Sequence, residues 1–311
     1  MHLIMLVTFL CTVVGFRLNP GLDASLQMKK TKTYVRQNAV ENSQLNVFGT
    51  IAAGIVSIPG SLLIDKFLQR GTERISKISN TIITDDMGEV YAYIARPTPV
   101  NTNEPQVKYP VVVLIHQFFG LRPRDTELCD ELARLGYVAV APDCFQGNTT
   151  SLIPRAISLV APAAFKDDWD SSLRDLGRVI KYLKTDCSAW ADTSKVVISG
   201  FCFGGGLALR YADTFPEDIK GCAVFYGKPI SKLSKLNCNV YGVFGSRDRQ
   251  FSPEMVDRFE LLLKSSNVPV EMRRYEGKAH AFIDDLECIQ RGGDAGDAWA
   301  GFVDFLERNL S

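Results

Sequence analysis

A strand that turns sharply into a helix through closely spaced glycines constrains this chain more than any other feature. Lys195-Val196-Val197-Ile198-Ser199 reads as a buried strand and runs into Gly200-Phe201-Cys202-Phe203-Gly204-Gly205-Gly206, which opens a helix. A residue at the apex of so tight a turn takes unfavourable backbone angles, and small neighbours two positions to either side let the turn close. Gly200 and Gly204 are those neighbours. The turn sets the Cys202 sulfur at the positive end of the following helix, where a negative charge is stabilised. Two plainer readings compete. A buried structural cysteine in a glycine-rich turn is one, and phosphate binding by the glycines is the other. The second lacks the Lys-Ser/Thr of a P-loop, and the spacing is not that of a dinucleotide fingerprint.

The residues around this turn predict a single α/β layer structure from about residue 75 to the end. Strands are predicted over 89–94, 111–115, 137–141, 195–199, 222–226, 240–244 and 268–275, alternating with helices over 125–135, 168–184, from 204, 253–265 and 294–309. This is a mostly parallel central sheet with helices on both faces. Val111 to Ile115 is the continuous β-branched run expected of a central strand. The segment 146–166, with two prolines and weak periodicity, reads as a loop or cap over a site.

Histidines are scarce, at positions 2, 116 and 280, which narrows the choice of a base to His116 or His280. Asp248 lies just past the strand 240–244 and His280 just past the strand ending at Tyr275, both at carboxyl ends where open α/β sheets place their sites. Cys202, Asp248 and His280 follow the chain order nucleophile, acid, histidine of the α/β-hydrolases. His116 ends the strand before the loop expected to build an oxyanion hole, so its expected part is shaping that loop.

The remaining composition excludes several classes. Lys+Arg and Asp+Glu both number 35, so no basic footprint for nucleic acid exists. The eight cysteines form no C-x-x-C pair, against both a disulfide scaffold and a zinc ribbon. Residues 1–15 read as a signal peptide built on the apolar run Leu3 to Val14, too short to span a ~30 Å bilayer core. Residues 16–74 read as a transit segment and apolar arm. Between Phe16 and Val40 it carries five bases and one acid, and the leader as a whole resembles the two-part plastid leader of algae with secondary plastids. A secretory signal followed by a disordered arm is the alternative. The uncharged stretch 47–64 is expected to pack on the domain or to associate weakly with a membrane.

Taken together, His116-Gln117-Phe118-Phe119-Gly120-Leu121, Leu132 to Tyr137, Ala141-Pro142-Asp143, the Cys202 turn, Gly245 to Asp248 and Gly277 to Phe282 resemble the dienelactone hydrolase family over about residues 80–311. The resemblance implies an α/β-hydrolase fold, Cys202 as nucleophile, His280 as base and Asp248 as its orienting carboxylate. It also implies an oxyanion hole from the backbone amides of Phe118 and Phe203, an acyl-enzyme formed on a small ester or lactone, and no metal or organic cofactor. Two positions depart from the family. Gln117 stands where the best-known members carry a glutamate, and Asp284 where they carry an arginine that holds a substrate carboxylate. Arg155 or Arg291 is expected to substitute for it. These departures also motivate a rival expectation, a catalytically silent binding protein on the same fold. An oxidisable thiol sensor at Cys202 is a third.

Overall fold

The computed structural model describes residues 71–98 and 107–311. The expected signal, transit and apolar-arm segments lie outside them, apart from the last few residues before 75. Among the described residues, no helix is long and apolar enough to cross a membrane.

The described residues begin with helix α1 (Gly71–Ile78) and an antiparallel hairpin, β1 (Thr81–Asp85) and β2 (Gly88–Ala95). The rest alternates: β3 (Tyr109–Ile115), α2 (Pro123–Arg134), β4 (Val138–Pro142), α3 (Ile153–Lys166), α4 (Asp170–Thr185), β5 (Ala191–Phe201) and α5 (Phe203–Thr214). Then come β6 (Gly221–Phe225), β7 (Asn239–Gly245), α6 (Pro253–Ser265), β8 (Val270–Tyr275), α7 (Leu286–Gln290) and α8 (Gly293–Leu310). One eight-stranded sheet results, in the order β1-β2-β4-β3-β5-β6-β7-β8, parallel from β4 onward along the sheet and antiparallel at β2.

The predicted mostly parallel sheet with helices on both faces is the observed architecture. α2 and α8 cover one face, α4 and α5 the other. Covered on both sides, the central strands β4 and β6 are buried at every position, and β3 from Val111 to Ile115, which is why they read as unbroken apolar runs.

Two sequence readings are corrected. Strand β1 was not expected, because Thr81–Asp85 is an edge strand with only Ile83 buried and carries no apolar run. Residues 153–166, expected as loop, form helix α3. Pro154 sits in its first turn, where a missing N–H costs nothing, and Ala156, Ile157, Val160 and Ala163 make a buried face at helical spacing. Only Pro162 offends the helical pattern. Asp167 closes the helix in the left-handed region and gathers the Trp169 indole, Arg210 and Lys228 on its carboxylate.

Candidate active site

Strand β5 delivers Cys202 to the carboxyl edge of the sheet and α5 begins at the next residue. Cys202 has φ 54° and ψ −110°, an arrangement that costs a non-glycine residue on the order of 1–3 kcal/mol and persists only where its surroundings enforce it. Its N–H donates to the Phe225 carbonyl at 2.9 Å, which fixes the apex against the end of β6. A Cβ on Gly200 would collide with the Gly204 backbone, and one on Gly204 with the Ile115 carbonyl. Cys202 is half-buried, whereas Cys129, Cys144, Cys187, Cys222 and Cys238 are all buried. The sulfur is therefore reachable.

Asp248 follows β7 in a tight turn, its N–H donating to the Gly245 carbonyl at 3.2 Å. Its carboxylate is fully buried. Oδ1 accepts the amides of Gln250 (2.7 Å) and Phe251 (3.0 Å), leaving Oδ2 to accept from His280 Nδ1 at 2.8 Å. With Nδ1 so engaged, His280 turns Nε2 to Cys202 Sγ at 3.1 Å. The rings of Tyr226 and Phe251 meet the imidazole edge-on, at 5.3 and 5.6 Å. Burial works against a charge on this ring. The negative charge of Cys202 and the hydrogen bond with Asp248 outweigh it and push His280 up to about 10. The protonated imidazole is thereby favoured at neutral pH.

His116 is fully buried, and its partners are fixed. Nε2 accepts the Cys144 amide at 3.1 Å, so Nδ1 is the protonated nitrogen and donates to the Gln117 carbonyl at 2.6 Å. The same carbonyl accepts the Gly120 N–H at 3.2 Å, which curls residues 117–120 into a turn. His116 shapes this loop, as its place in the sequence suggested. The Phe118 amide finds no backbone acceptor among the described residues, and the Phe203 amide, first in α5, has no partner within the helix. The Phe203 ring is held between Trp169 (5.4 Å) and Phe145 (4.8 Å).

The other residues expected around the pocket lie on α3 and on the loops after His280 and α7. Arg155 Nη2 bonds the Asn148 side-chain oxygen at 3.0 Å and Nη1 the Ser158 hydroxyl at 3.3 Å, so it is engaged along α3 and its own loop. Arg291 caps α7 and is exposed. Asp284 is exposed on the loop that follows His280. Burial raises the Tyr226 phenol, and the charges of Cys202 and Asp284 add to that rise against the pull of Arg124. The Asp284 carboxylate is thus felt one ring away from His280.

Two residues escaped the sequence reading. Tyr226, at φ 40°, donates its hydroxyl to the Ile283 carbonyl at 3.0 Å. Arg124 reaches from α2 to the carbonyls of Ile283 and Asp284. A cation in the first turn of a helix opposes the helix dipole, and that misplacement is the one signal that Arg124 serves something else.

The pattern of the dienelactone hydrolase family matches residues 91–310. The chain belongs to this family. Among its relatives in the family, a Salmonella typhimurium protein named "Putative carboxymethylenebutenolidase" is 28% identical over 276 residues, covering 83% of this chain and 88% of that one. A Synechocystis protein of the same name is 28% identical, covering 75% of this chain and 98% of that one. The solved structure of a Klebsiella pneumoniae protein, "Putative Dienelactone Hydrolase", superposes with a TM-score of 0.60 at 25% identity and covers 73% of this chain and 96% of that one.

Proposed function

We propose that this dienelactone hydrolase family member hydrolyses small, uncharged carboxylic esters or lactones through Cys202, His280 and Asp248. The observation that carries the reading is the unbroken chain from Cys202 Sγ through His280 (3.1 Å) to the buried Asp248 carboxylate (2.8 Å). Sγ attacks the substrate carbonyl as the thiolate, and the carbonyl electron pair moves to an oxyanion facing the Phe118 and Phe203 amides. Each such donor is worth roughly 10²–10³ in kcat. Collapse expels the alkoxide, which takes the proton from His280, and leaves a thioester on Cys202. Neutral once more, His280 accepts a proton from water as that water attacks the thioester. The second tetrahedral species expels the thiolate, and His280 again carries the proton. Asp248 keeps Nδ1 protonated throughout. All of the atoms balance without a metal or organic cofactor.

Gln117 cannot take a proton at neutral pH, so proton handling falls to His280 alone. Asp284, an exposed acid on the loop that follows His280, disfavours a substrate carboxylate. A panel of short esters and lactones tests this: neutral members are expected to show kcat/KM about tenfold or more above matched anionic ones, a Coulombic difference of about 1.4 kcal/mol. A preference for anionic members would overturn the assignment of Asp284. No turnover across the panel would return the chain to the silent binding protein.

The pH dependence has a definite sign. A group whose folded pKa is raised contributes stability in full below its unfolded value and loses it as pH rises through the folded one. For His280 that window runs from 6.5 to about 10. Activity is expected to hold through neutral pH and fall on an alkaline limb near 10, where the imidazolium that protonates the leaving alkoxide is lost. A kcat profile with its alkaline limb near 7 would contradict the raised value of His280.

A further inference from the structure

We infer that Arg124 is a positioning residue for the Cys202–His280 pair, an inference that rests on the reading of the site given above. Its guanidinium is mostly buried and points in four directions. Nη1 pairs with Asp125 at 3.1 Å, whose other oxygen accepts the Arg122 N–H at 3.0 Å and so anchors the start of α2. The guanidinium carbon lies 4.2 Å over the ring of Phe201, the residue before Cys202. Nε donates to the Asp284 carbonyl, and Nη2 to the Ile283 carbonyl at 3.3 Å.

One planar cation therefore touches the nucleophile turn on one side and the loop behind His280 on the other, 160 residues apart in sequence from its own position. The grip is doubled, because the Ile283 carbonyl also accepts the Tyr226 hydroxyl at 3.0 Å and the Tyr226 ring meets His280 at 5.3 Å. His280 sits on a short excursion between β8 and α7, with Ala281 at φ 57°. Nothing else described ties the carbonyls of Ile283 and Asp284 to the body of α2. Without Arg124 both carbonyls lose a charged donor, and the loop keeps only Tyr226 at Ile283 and Asp248 at His280 to hold Nε2 against Sγ. A displacement of about 1 Å is enough to cost 10²-fold in rate. Lysine does not replace it, since an ammonium cannot stack on Phe201 and serve two carbonyls and a carboxylate at once.

The test uses the full chain as wild type, Arg124→Ala and Arg124→Lys. Three readings are taken on each: the melting temperature, kcat and KM for a neutral ester, and the pH profile of Cys202 alkylation by iodoacetamide, read by mass spectrometry. Both variants are expected to lose on the order of 10- to 100-fold in kcat with KM within about twofold. The alkylation profile is expected to move upward by about one pH unit, and millimolar guanidinium to restore part of the rate of Arg124→Ala. Variants that melt lower yet keep the wild-type alkylation profile and kcat overturn the inference, since Arg124 would then be structural only. Alkylation needs no ester, so a wild type without turnover defeats the functional reading while the profiles still decide the role of Arg124. Should Arg124→Ala fail to fold, Arg124→Lys, which keeps the charge, decides alone.

Discussion

Cys202→Ala is expected to reduce kcat/KM for a neutral ester by roughly 10⁵-fold or more, because the variant has no atom that can form the acyl-enzyme. The residual rate would come from the amides of Phe118 and Phe203 and from substrate binding alone. Stability should change by less than about 1 kcal/mol, since the sulfur is only half-buried and alanine keeps the same strained backbone. Kinetics on the ester together with urea denaturation separate the two effects. A variant that retains more than about a hundredth of the wild-type rate would remove Cys202 from the mechanism. Cys202→Ser sharpens the comparison. It keeps size and hydrogen bonding but offers His280 a hydroxyl that is far harder to ionise than a thiol.

Gly204→Ala carries the second large effect, this time on the fold itself. The new methyl would collide with the Ile115 carbonyl and lie 2.6 Å from that of His116, and both are backbone atoms that cannot swing aside. Gly204 is where the helix after the nucleophile approaches the end of β3, so the same contact sets the gap between Cys202 and the loop of Phe118. A loss of about 3 kcal/mol in unfolding free energy is expected, together with most of the activity. Gly177→Ala is the matched control, because a Cβ there meets nothing within 4 Å on α4. It should raise stability by up to about 1 kcal/mol, as alanine does in a helix interior. Equal effects in the two variants would mean that the close approach at Gly204 is not what holds the turn.

The contrast between these glycines explains what the sequence makes legible. Gly200 and Gly204 are readable because a sharp turn admits so few residue types, and the Cys202 turn is readable with them. Asp248 and His280 follow because strand ends are marked by apolar runs and only two histidines fall in the domain. His116 is readable from its place at the end of β3. Helix α3 was hidden by Pro154 and Pro162, although Pro154 occupies a position where proline favours a helix. Strand β1 was hidden because an edge strand needs only one apolar face. Arg155 was expected at the pocket as a cation of the cap standing in for the arginine that Asp284 replaces, and that reading does not reveal its bonds to Asn148 and Ser158. Arg124 and Tyr226 were illegible for a different reason: Arg124 acts on the carbonyls of Ile283 and Asp284 and Tyr226 on that of Ile283, and a carbonyl carries no residue-specific signal.

The most direct test of the central claim is to trap the thioester. The full chain is mixed with a slowly deacylating neutral ester, quenched in acid and read by intact mass and peptide mapping. The account predicts one acyl group per chain, borne on Cys202, lost on incubation at neutral pH and absent from Cys202→Ala. Steady ester turnover with no adduct on Cys202, or an adduct that persists in Cys202→Ala, would contradict it.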